Sequence, residues 1–177
     1  MFNHSVATKK DITAIKDLME ISISNMLGKM LTNDQLEAAR DSMGLDTQLI
    51  EDKSYFLVRK GPILVGSGGY SYRKTLFGGN HTPNRSNDLL IPSQDPAKVR
   101  AMYTHPDWTR QGVGSYVLDL AEENVKNLGF QRVELMATVS GILLYEKRGY
   151  QLVEEIEYGS KMGNKVPMYR MEKKLDE

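Results

Sequence analysis

The spacing of apolar residues sets out the first elements of the chain. From Phe2 to Ala7 apolar and polar residues alternate, which predicts a strand. Beyond this strand the apolar residues recur every three or four positions, and either Thr8 or Asp11 can cap the helix that this spacing predicts. The apolar face of that helix comprises Ile12, Ile15, Leu18, Met19 and Met26.

A second helix and a hairpin follow. In TNDQLEAARDSM, Thr32 and Gln35 have the spacing of a capping box, in which each side chain accepts a hydrogen bond from the other residue's backbone. The apolar side of this helix comprises Leu36, Ala39 and Met43. KSYFLVRKGPILVGSGGYSY predicts two strands that reverse at Lys60-Gly61-Pro62, because these turn residues favour a hairpin.

The stretch from Arg73 to Ala97 shows neither the alternation of a strand nor the three- to four-residue spacing of a helix. Its sequence, RKTLFGGNHTPNRSNDLLIPSQDPA, is rich in Gly, Pro, Asn and Ser. This composition favours an irregular surface insertion between strands over a partly ordered lid on a substrate site. We therefore predict an irregular insertion over about residues 73–97.

The second half of the chain alternates between the two periods. Strands are predicted at KVRAMYT, QRVELMAT, YQLVEEIEYGS and KVPMYRMEKKL, and helices at GVGSYVLDLAEENVKNLG and GILLYEKRG. The longer helix ends at Gly129 and has its apolar face at Val113, Val117, Leu118, Ala121, Val125 and Leu128. The unit from Lys98 to Thr138 is a strand-helix-strand crossover, so its two strands should be parallel. The pattern predicts one α/β domain over residues 1–177, with a mixed sheet of about seven strands.

Composition narrows the classes of function. The 177 residues carry 23 basic and 23 acidic side chains, so no overall field attracts nucleic acid or an anionic membrane. No stretch has the pattern of a secretory signal or the apolar length of a membrane span, which favours a cytoplasmic protein. There is no cysteine, and His4, His81 and His105 are far apart, so neither a disulfide nor a metal centre is expected.

Two glycines stand at the junction of a strand and a helix, in MYTHPDWTRQGVGSYVL. A helix that begins near Gly112 presents unpaired backbone N–H groups and the positive end of its dipole, which together bind anions. Glycine at 112 and 114 leaves room for a phosphate to touch the backbone. A tight turn packed against a neighbouring element explains the same glycines. A dinucleotide loop fits less well, because Val117 stands where its third glycine is needed, and an ATP-binding P-loop lacks its lysine.

MYTHPDWTRQGVGSYVL resembles the acyl-CoA-binding motif of the GNAT superfamily of N-acetyltransferases, and GILLYEKRGYQLVEE resembles the tyrosine-bearing helix of the same family. The two stretches are about thirty residues apart with a strand between them, as in that family. The resemblance implies a GNAT-like acyl-CoA N-acyltransferase fold, in which a mostly antiparallel sheet has helices on both faces. It also implies direct transfer of the acetyl group of acetyl-CoA, as co-substrate, to an amino group of a small molecule or peptide.

The resemblance assigns roles to particular residues. The positions that match the cofactor-binding motif are Met102, Tyr103, Thr104, Arg110, Gln111, Gly112, Val113, Gly114 and Ser115. The strand residues among them pair with the pantetheine arm and polarise the thioester carbonyl, and the loop residues hold the pyrophosphate. Tyr145 is the catalytic candidate, as a proton donor or hydrogen-bond partner to the leaving thiolate. The alternative is a tyrosine that packs beside Leu144 with its hydroxyl in water.

Two positions depart from the family pattern. Thr109 stands where the motif usually has Arg or Gln, so basic help to the phosphates would come from Arg110 or Gln111. ATVSG stands where many members carry an asparagine before the tyrosine helix, so a contact to the cofactor's amides would fall to Thr138 or Ser140.

The sequence defines the general base and the acceptor site less well. KVRAMYT has no carboxylate where some relatives have a glutamate, so proton removal passes through ordered water or falls to His105 or His81. Arg100 can bind an anionic group of the acceptor or form an internal ion pair. Tyr70 and Tyr72 can form a wall of the acceptor site or a cross-strand aromatic pair.

An acetyl-CoA-dependent N-acetyltransferase is therefore the leading hypothesis. The alternative is a non-catalytic acyl-CoA-binding or sensing domain, which the missing carboxylate supports. An unrelated α/β nucleotide-binding module would need the third glycine. A homodimer formed through the last strands is compatible with KVPMYRMEKKLDE, which does not decide between monomer and dimer.

Overall fold

The alternating segments of the chain form strands of one sheet in the computed structural model, which describes residues 1–175. The strands are β1 (Asn3–Val6), β2 (Tyr55–Lys60), β3 (Ile63–Ser71), β4 (Ala97–Thr104), β5 (Arg132–Ala137), β6 (Gln151–Gly159) and β7 (Lys165–Lys174). Their order across the sheet is β1-β2-β3-β4-β5-β7-β6. Only β4 and β5 pair in parallel, so the predicted mixed, mostly antiparallel sheet of seven strands is confirmed. Asp176 and Glu177 of the predicted domain lie outside the described residues.

Helices cover both faces of this sheet. They are α1 (Ile12–Ser22), α2 (Asn33–Ser42), α3 (Thr47–Glu51), α4 (Val113–Asn127) and α5 (Ile142–Lys147). The first two pack on one face, where their apolar side chains meet Leu57 and Tyr103. The last two pack on the opposite face, where they meet Val99 and Leu135. No helix within residues 1–175 has the length and apolar character needed to cross a membrane.

Most of the sequence-based boundaries agree with these elements, with two exceptions. The short helix α3 was not predicted, because five residues are too few to display a helical period. Its cap is Asp46, whose carboxylate accepts a hydrogen bond from the backbone of Gln48 at 3.1 Å. The prediction that Leu128 belongs to the apolar face of α4 was wrong, because the helix ends at Asn127 and Leu128 is exposed.

The paired region of β4 and β5 is very short. Ala97 lies opposite Val133 and Lys98 opposite Glu134, and beyond these two pairs the strands separate. A bulge in β4 follows, where Ala101 has a left-handed φ of 53° and the register against β3 shifts. The separation leaves a gap in the middle of the sheet, at the carboxyl ends of its two parallel strands.

Buried charges lie at the end of the sheet where β4 and β5 are still paired. Glu134 of β5 accepts hydrogen bonds from Lys98 of β4 and from Arg170 of β7, the latter at 3.2 Å. Arg170 also donates to Glu154 of β6 at 3.3 Å. These contacts link four neighbouring strands, and Lys98 and Glu134 are both buried.

The stretch between β3 and β4 contains no named helix or strand among the described residues, and ion pairs attach it to the α2–α3 region. Arg73 donates to both carboxylate oxygens of Asp52, at 2.7 and 2.8 Å. Arg85 donates to Asp46 at 2.8 Å. The intervening residues 76–78 therefore lie over the gap between β4 and β5 and line a cavity there.

Replacing Glu134 by Gln should destabilise the protein by about 3 kcal/mol, because the change leaves the buried ammonium of Lys98 without its counter-charge. Urea unfolding, monitored by circular dichroism, measures this change in the free energy of unfolding. The matched control is Glu157→Gln, which removes one partner of an exposed ion pair with Lys165 and should leave the midpoint unchanged. Equal midpoints for the two variants would show that Glu134 does not stabilise the paired strands.

Candidate active site

A cavity of about 340 Å³ opens where β4 and β5 separate. Its walls come from the end of α1, the end of β4, the loop before α4, and α5. The positions predicted to bind the cofactor that line it are Met102, Tyr103, Thr104, Arg110, Gly112, Val113, Gly114 and Ser115. Tyr145 lines the same cavity. The fold thus brings the two motifs of the sequence to one place.

The loop before α4 forms a cradle of backbone donors. Arg110 and Gly112 both have left-handed φ values, 62° and 88°, so the loop curls over the start of the helix. The N–H groups from Arg110 to Ser115 have no hydrogen-bond partner within residues 1–175. A Cβ at Gly112 would have no atom within 4 Å, so it would project into the space above these donors. The cradle is therefore open at the point where a phosphate group would contact the backbone.

The charged groups around this cavity are basic. The basic side chains that line it are Arg110 and Lys147, and no Asp or Glu of the described residues lines it. Together with the positive end of the α4 dipole, they favour a ligand that carries several negative charges. Lys147 was not predicted, because a lysine in the last turn of an exposed helix has the same pattern as any solvated lysine.

The second glycine of the motif has a different role from the first. A Cβ at Gly114 would lie 2.6 Å from the Cδ2 atom of Leu144 on α5, so Gly114 allows α4 and α5 to pack closely. The prediction that both glycines make room for phosphate thus applies to Gly112, and the tight-packing alternative applies to Gly114. Gln111 does not line the cavity, because its side chain donates to the carbonyl of Asp107 at 3.1 Å.

Tyr145 lies on α5 with its ring buried and its hydroxyl towards the cavity. Within residues 1–175 this hydroxyl has no hydrogen-bond partner, and only 7% of the residue is exposed. Burial, together with the nearby Tyr103, raises the pKa of Tyr145. The hydroxyl therefore keeps its proton at neutral pH and can donate it into the cavity.

A polar cluster behind Tyr145 fixes its ring. Tyr150 packs edge-on against Tyr145, with ring centroids 5.8 Å apart. The Tyr150 hydroxyl donates to the buried carboxylate of Glu122 at 3.0 Å, and Lys173 donates to the same carboxylate at 2.7 Å. These bonds connect α4 and β7 with Tyr150, the residue directly before β6, so elements on two sides hold the catalytic candidate.

A second, smaller cavity of about 80 Å³ adjoins the first. Both cavities are lined by Met43, Met102, Tyr103, Thr138 and Tyr145. The smaller one extends between β4 and β5 towards residues 76–78, and both apolar and polar groups line it. A group held in the larger cavity can therefore meet a group held in the smaller one next to Tyr145.

The other residues proposed from the sequence fall in several places. Thr138 and Ser140 line the larger cavity, with their hydroxyls 3.2 Å apart. His105 and His81 line neither cavity: His105 accepts from the backbone of Asp107, and His81 bonds the carbonyl of Asp41. Both histidines therefore have structural contacts instead of a position next to Tyr145.

Tyr70 and Tyr72 lie away from both cavities. Tyr70 packs against Phe56 of β2, with ring centroids 6.1 Å apart, as in the aromatic-pair alternative. Tyr72 contacts the guanidinium of Arg73 instead. Arg100 forms an internal ion pair with Asp46 at 2.8 Å, as in the ion-pair alternative, and it also lines the smaller cavity.

Two methionines at the site were assigned from the sequence to the apolar faces of helices. Met26 lies in a wide turn, Ile23–Leu27, that continues α1 and is closed by a bond from the N–H of Gly28 to the carbonyl of Ile23. Met43 follows α2. Both line the larger cavity, and only the packing of the helices distinguishes such residues from core residues.

Comparison with known families decides between the classes that the sequence left open. Residues 22–150 match the Acetyltransferase (GNAT) family, and this range contains the first motif, the strand between the motifs, and the second motif as far as Tyr150. The chain belongs to the GNAT family of acetyltransferases. This GNAT protein is therefore an acyltransferase that uses acetyl-CoA as co-substrate.

Solved structures with the same fold cover nearly the whole chain. A GCN5-related N-acetyltransferase from Rhodopseudomonas palustris matches with a TM-score of 0.72 and 18% identity, over 98% of this chain and 95% of that one. The PaiA N-acetyltransferase from Thermoplasma acidophilum, in complex with coenzyme A, matches with a TM-score of 0.64 and 14% identity, over 99% of each chain. The ribosomal-protein-S18-alanine N-acetyltransferase from Escherichia coli matches with a TM-score of 0.61 and 13% identity, over 100% and 96%. No curated protein matches this GNAT chain in sequence.

Replacing Gly112 by Val should weaken coenzyme A binding at least tenfold, because the branched side chain would fill the open cradle. Isothermal titration calorimetry with coenzyme A measures the change. The control is Gly61→Val in the β2–β3 turn, where φ is 58° and the added atoms again meet open space. The two variants share a backbone strain of about 1–2 kcal/mol, so equal losses of affinity would argue against a cradle at Gly112.

Proposed function

We propose that the acetyl group is transferred directly to the amino group of a small molecule or of a peptide, in a complex that holds both substrates. The observation that carries this proposal is the pair of adjoining cavities with Tyr145 in the wall of each. One cavity has the basic, donor-rich wall that suits an anionic cofactor, and the other is smaller and is lined by both apolar and polar groups. Within residues 1–175 no cysteine is available for a covalent acyl-enzyme, which fits direct transfer.

The residues of the larger cavity fit acetyl-CoA. Its pyrophosphate would lie on the free N–H groups of Gly112 to Ser115, with Arg110 and Lys147 beside it. The end of β4 lacks a partner strand on its β5 side, so the backbone of Met102 to Thr104 is free to bond the pantetheine arm. When bound, acetyl-CoA supplies an acetyl group activated as a thioester.

Tyr145 donates the proton that the leaving sulfur needs. Its hydroxyl faces the cavity without another partner, and its raised pKa keeps it protonated at neutral pH. The rigid packing against Tyr150 restricts the ring to one orientation. Tyr145 is therefore the general acid of the proposed mechanism.

The amine reaches the site without a carboxylate to deprotonate it. No Asp or Glu from the described part of the chain lines either cavity, and neither His81 nor His105 does. The proton of the attacking amine therefore passes to water, and the reactive fraction of the acceptor is the fraction that is already neutral.

A thiol-release assay with acetyl-CoA tests the proposed function. The acceptor panel comprises polyamines, amino acids, aminoglycosides and peptides with free amino termini, and mass spectrometry identifies the acetylated product. We expect turnover with at least one amine. Tight coenzyme A binding without turnover on any amine would instead favour the non-catalytic acyl-CoA-binding alternative.

Replacing Tyr145 by Phe should lower kcat by about 100-fold and leave the dissociation constant of coenzyme A unchanged, because only the proton donor is removed. Stopped-flow or steady-state thiol release gives kcat, and calorimetry gives the affinity. Tyr169→Phe is the control, because Tyr169 is a half-buried tyrosine of β7 that lines neither cavity. Full activity of Tyr145→Phe would exclude Tyr145 from the mechanism.

The pH dependence of kcat/KM should follow the acceptor and not an enzyme carboxylate. The rate should rise with pH up to the pKa of the acceptor's amine, and two acceptors of different basicity should give correspondingly displaced profiles. Because the pKa of Tyr145 is raised, kcat/KM should not fall at any pH below about 10. A rise at one fixed pH near 4 to 7 for every acceptor would instead indicate an enzyme base.

A further inference from the structure

We propose that the acceptor carries a carboxylate besides its amine, and that this carboxylate binds to Arg100 in the smaller cavity. This inference rests on the proposed function, because it names the class of amine that the same site acetylates. The observations behind it are the kind of side chains that line the smaller cavity, the charge of the cluster around Arg100, and the N–H groups that Arg100 leaves free.

The lining of the smaller cavity contains one charged side chain. Of the residues that line it, only Arg100, Tyr103 and Tyr145 can ionise. Burial raises the pKa of Tyr103 to about 12 and raises that of Tyr145 as well, so both tyrosines are neutral at physiological pH. The guanidinium of Arg100 is therefore the single formal charge that an acceptor meets there.

The cluster around Arg100 has an excess of positive charge. Arg100 and Arg85 donate to different oxygens of the same carboxylate, Asp46, each at 2.8 Å. No other acidic side chain within residues 1–175 forms an ion pair with either arginine. Two positive charges thus share one negative charge. Arg100 and Asp46 are almost completely buried, and Arg85 is partly exposed. An excess of positive charge next to a buried guanidinium favours the binding of an ion of opposite sign.

The hydrogen bonds of Arg100 leave part of its donor set free. One terminal nitrogen donates to Asp46 and to the carbonyl of Gly78, and the other donates to the carbonyl of Thr75 at 2.9 Å. These three bonds use three of the five N–H groups of a guanidinium. Residues 1–175 provide no partner for the remaining two. The three bonds also hold the guanidinium rigid, so the free N–H groups have a fixed direction.

The size and polarity of the cavity limit the acceptor further. A volume of about 80 Å³ holds only a few heavy atoms, so the anionic group must be compact, as a carboxylate is. No carboxylate side chain of the described residues lines either cavity, so the second ammonium group of a diamine would have no counter-charge. The cavity therefore suits amino acids and peptides with an acidic first residue better than polyamines.

Matched acceptor pairs test this inference on the unmodified protein. Thiol release from acetyl-CoA is compared for glycine, β-alanine, aspartate and glutamate against the corresponding primary amides, and for a peptide that begins with Asp against one that begins with Asn. We expect kcat/KM to be at least tenfold higher for the acid in at least one pair. A preference confined to free amino acids, or to the peptides, identifies the source of the carboxylate.

Two outcomes of this comparison are unfavourable, and they differ. Equal turnover of acids and amides, or faster turnover of polyamines than of all acids, would overturn the carboxylate inference while acetyl transfer stands. Absence of thiol release with every amine, from protein that binds coenzyme A, would overturn the proposed function as well.

Variants of Arg100 and Arg73 test whether Arg100 is the residue that causes the preference for acids. Arg100→Met should raise KM for the preferred acid at least tenfold more than KM for its amide, and it should leave coenzyme A affinity unchanged. Arg73→Met is the matched control, because it removes an arginine–carboxylate pair of the same irregular segment that lies outside both cavities. It should keep the preference for acids. If Arg100→Met does not fold, Arg100→Lys replaces it, because lysine keeps the charge but has fewer N–H donors. Arg100→Lys should show a smaller rise in KM for the preferred acid. A folded Arg100 variant that keeps the full preference for acids over amides would overturn the role of Arg100.

Discussion

The separation of β4 from β5 after two paired positions is the constraint on which the site depends. A fully paired sheet at this point would use the backbone of Met102 to Thr104 for hydrogen bonds to β5 and would close the passage between the two cavities. Because the strands separate, the end of β4 is free, and Tyr145 of α5 is in contact with both sides of the gap. The proposed binding of two substrates and the transfer between them depend on this single irregularity.

Buried polar clusters hold the strands together at the paired end of the gap and fix the side chains around the gap where the strands separate. Glu134 links β4, β5 and β7 where the strands are paired, and Glu122 anchors Tyr150 behind the tyrosine of α5. Asp46 joins the α2–α3 region to Arg100 of β4 across the gap. Each cluster is costly to break, because removal of one partner leaves a buried charge without compensation. The charged residues of the core therefore define the shape of the site as well as its stability.

The two proposed substrate regions differ in the groups that line them. The proposed cofactor region has backbone N–H groups, a helix dipole and exposed cations, which suit a large anion and tolerate changes of side chain such as Thr109. The proposed acceptor region has apolar side chains and one anchored guanidinium, so its specificity would depend on individual residues. This difference explains why the cofactor region is recognisable from a short motif while the acceptor region is not.

The sequence by itself determined the seven strands, four of the five helices that the structure describes, and the two motifs, because period, capping residues and glycine positions are local properties of the chain. It also predicted that a helix begins near Gly112, because the apolar period of Val113, Val117 and Leu118 starts there. Tertiary structure decided the rest. That Gly114 packs against Leu144, that Tyr70 and Tyr72 face away from the site, and that Arg100 both pairs with Asp46 and lines the cavity depend on contacts between distant segments, which no local pattern encodes.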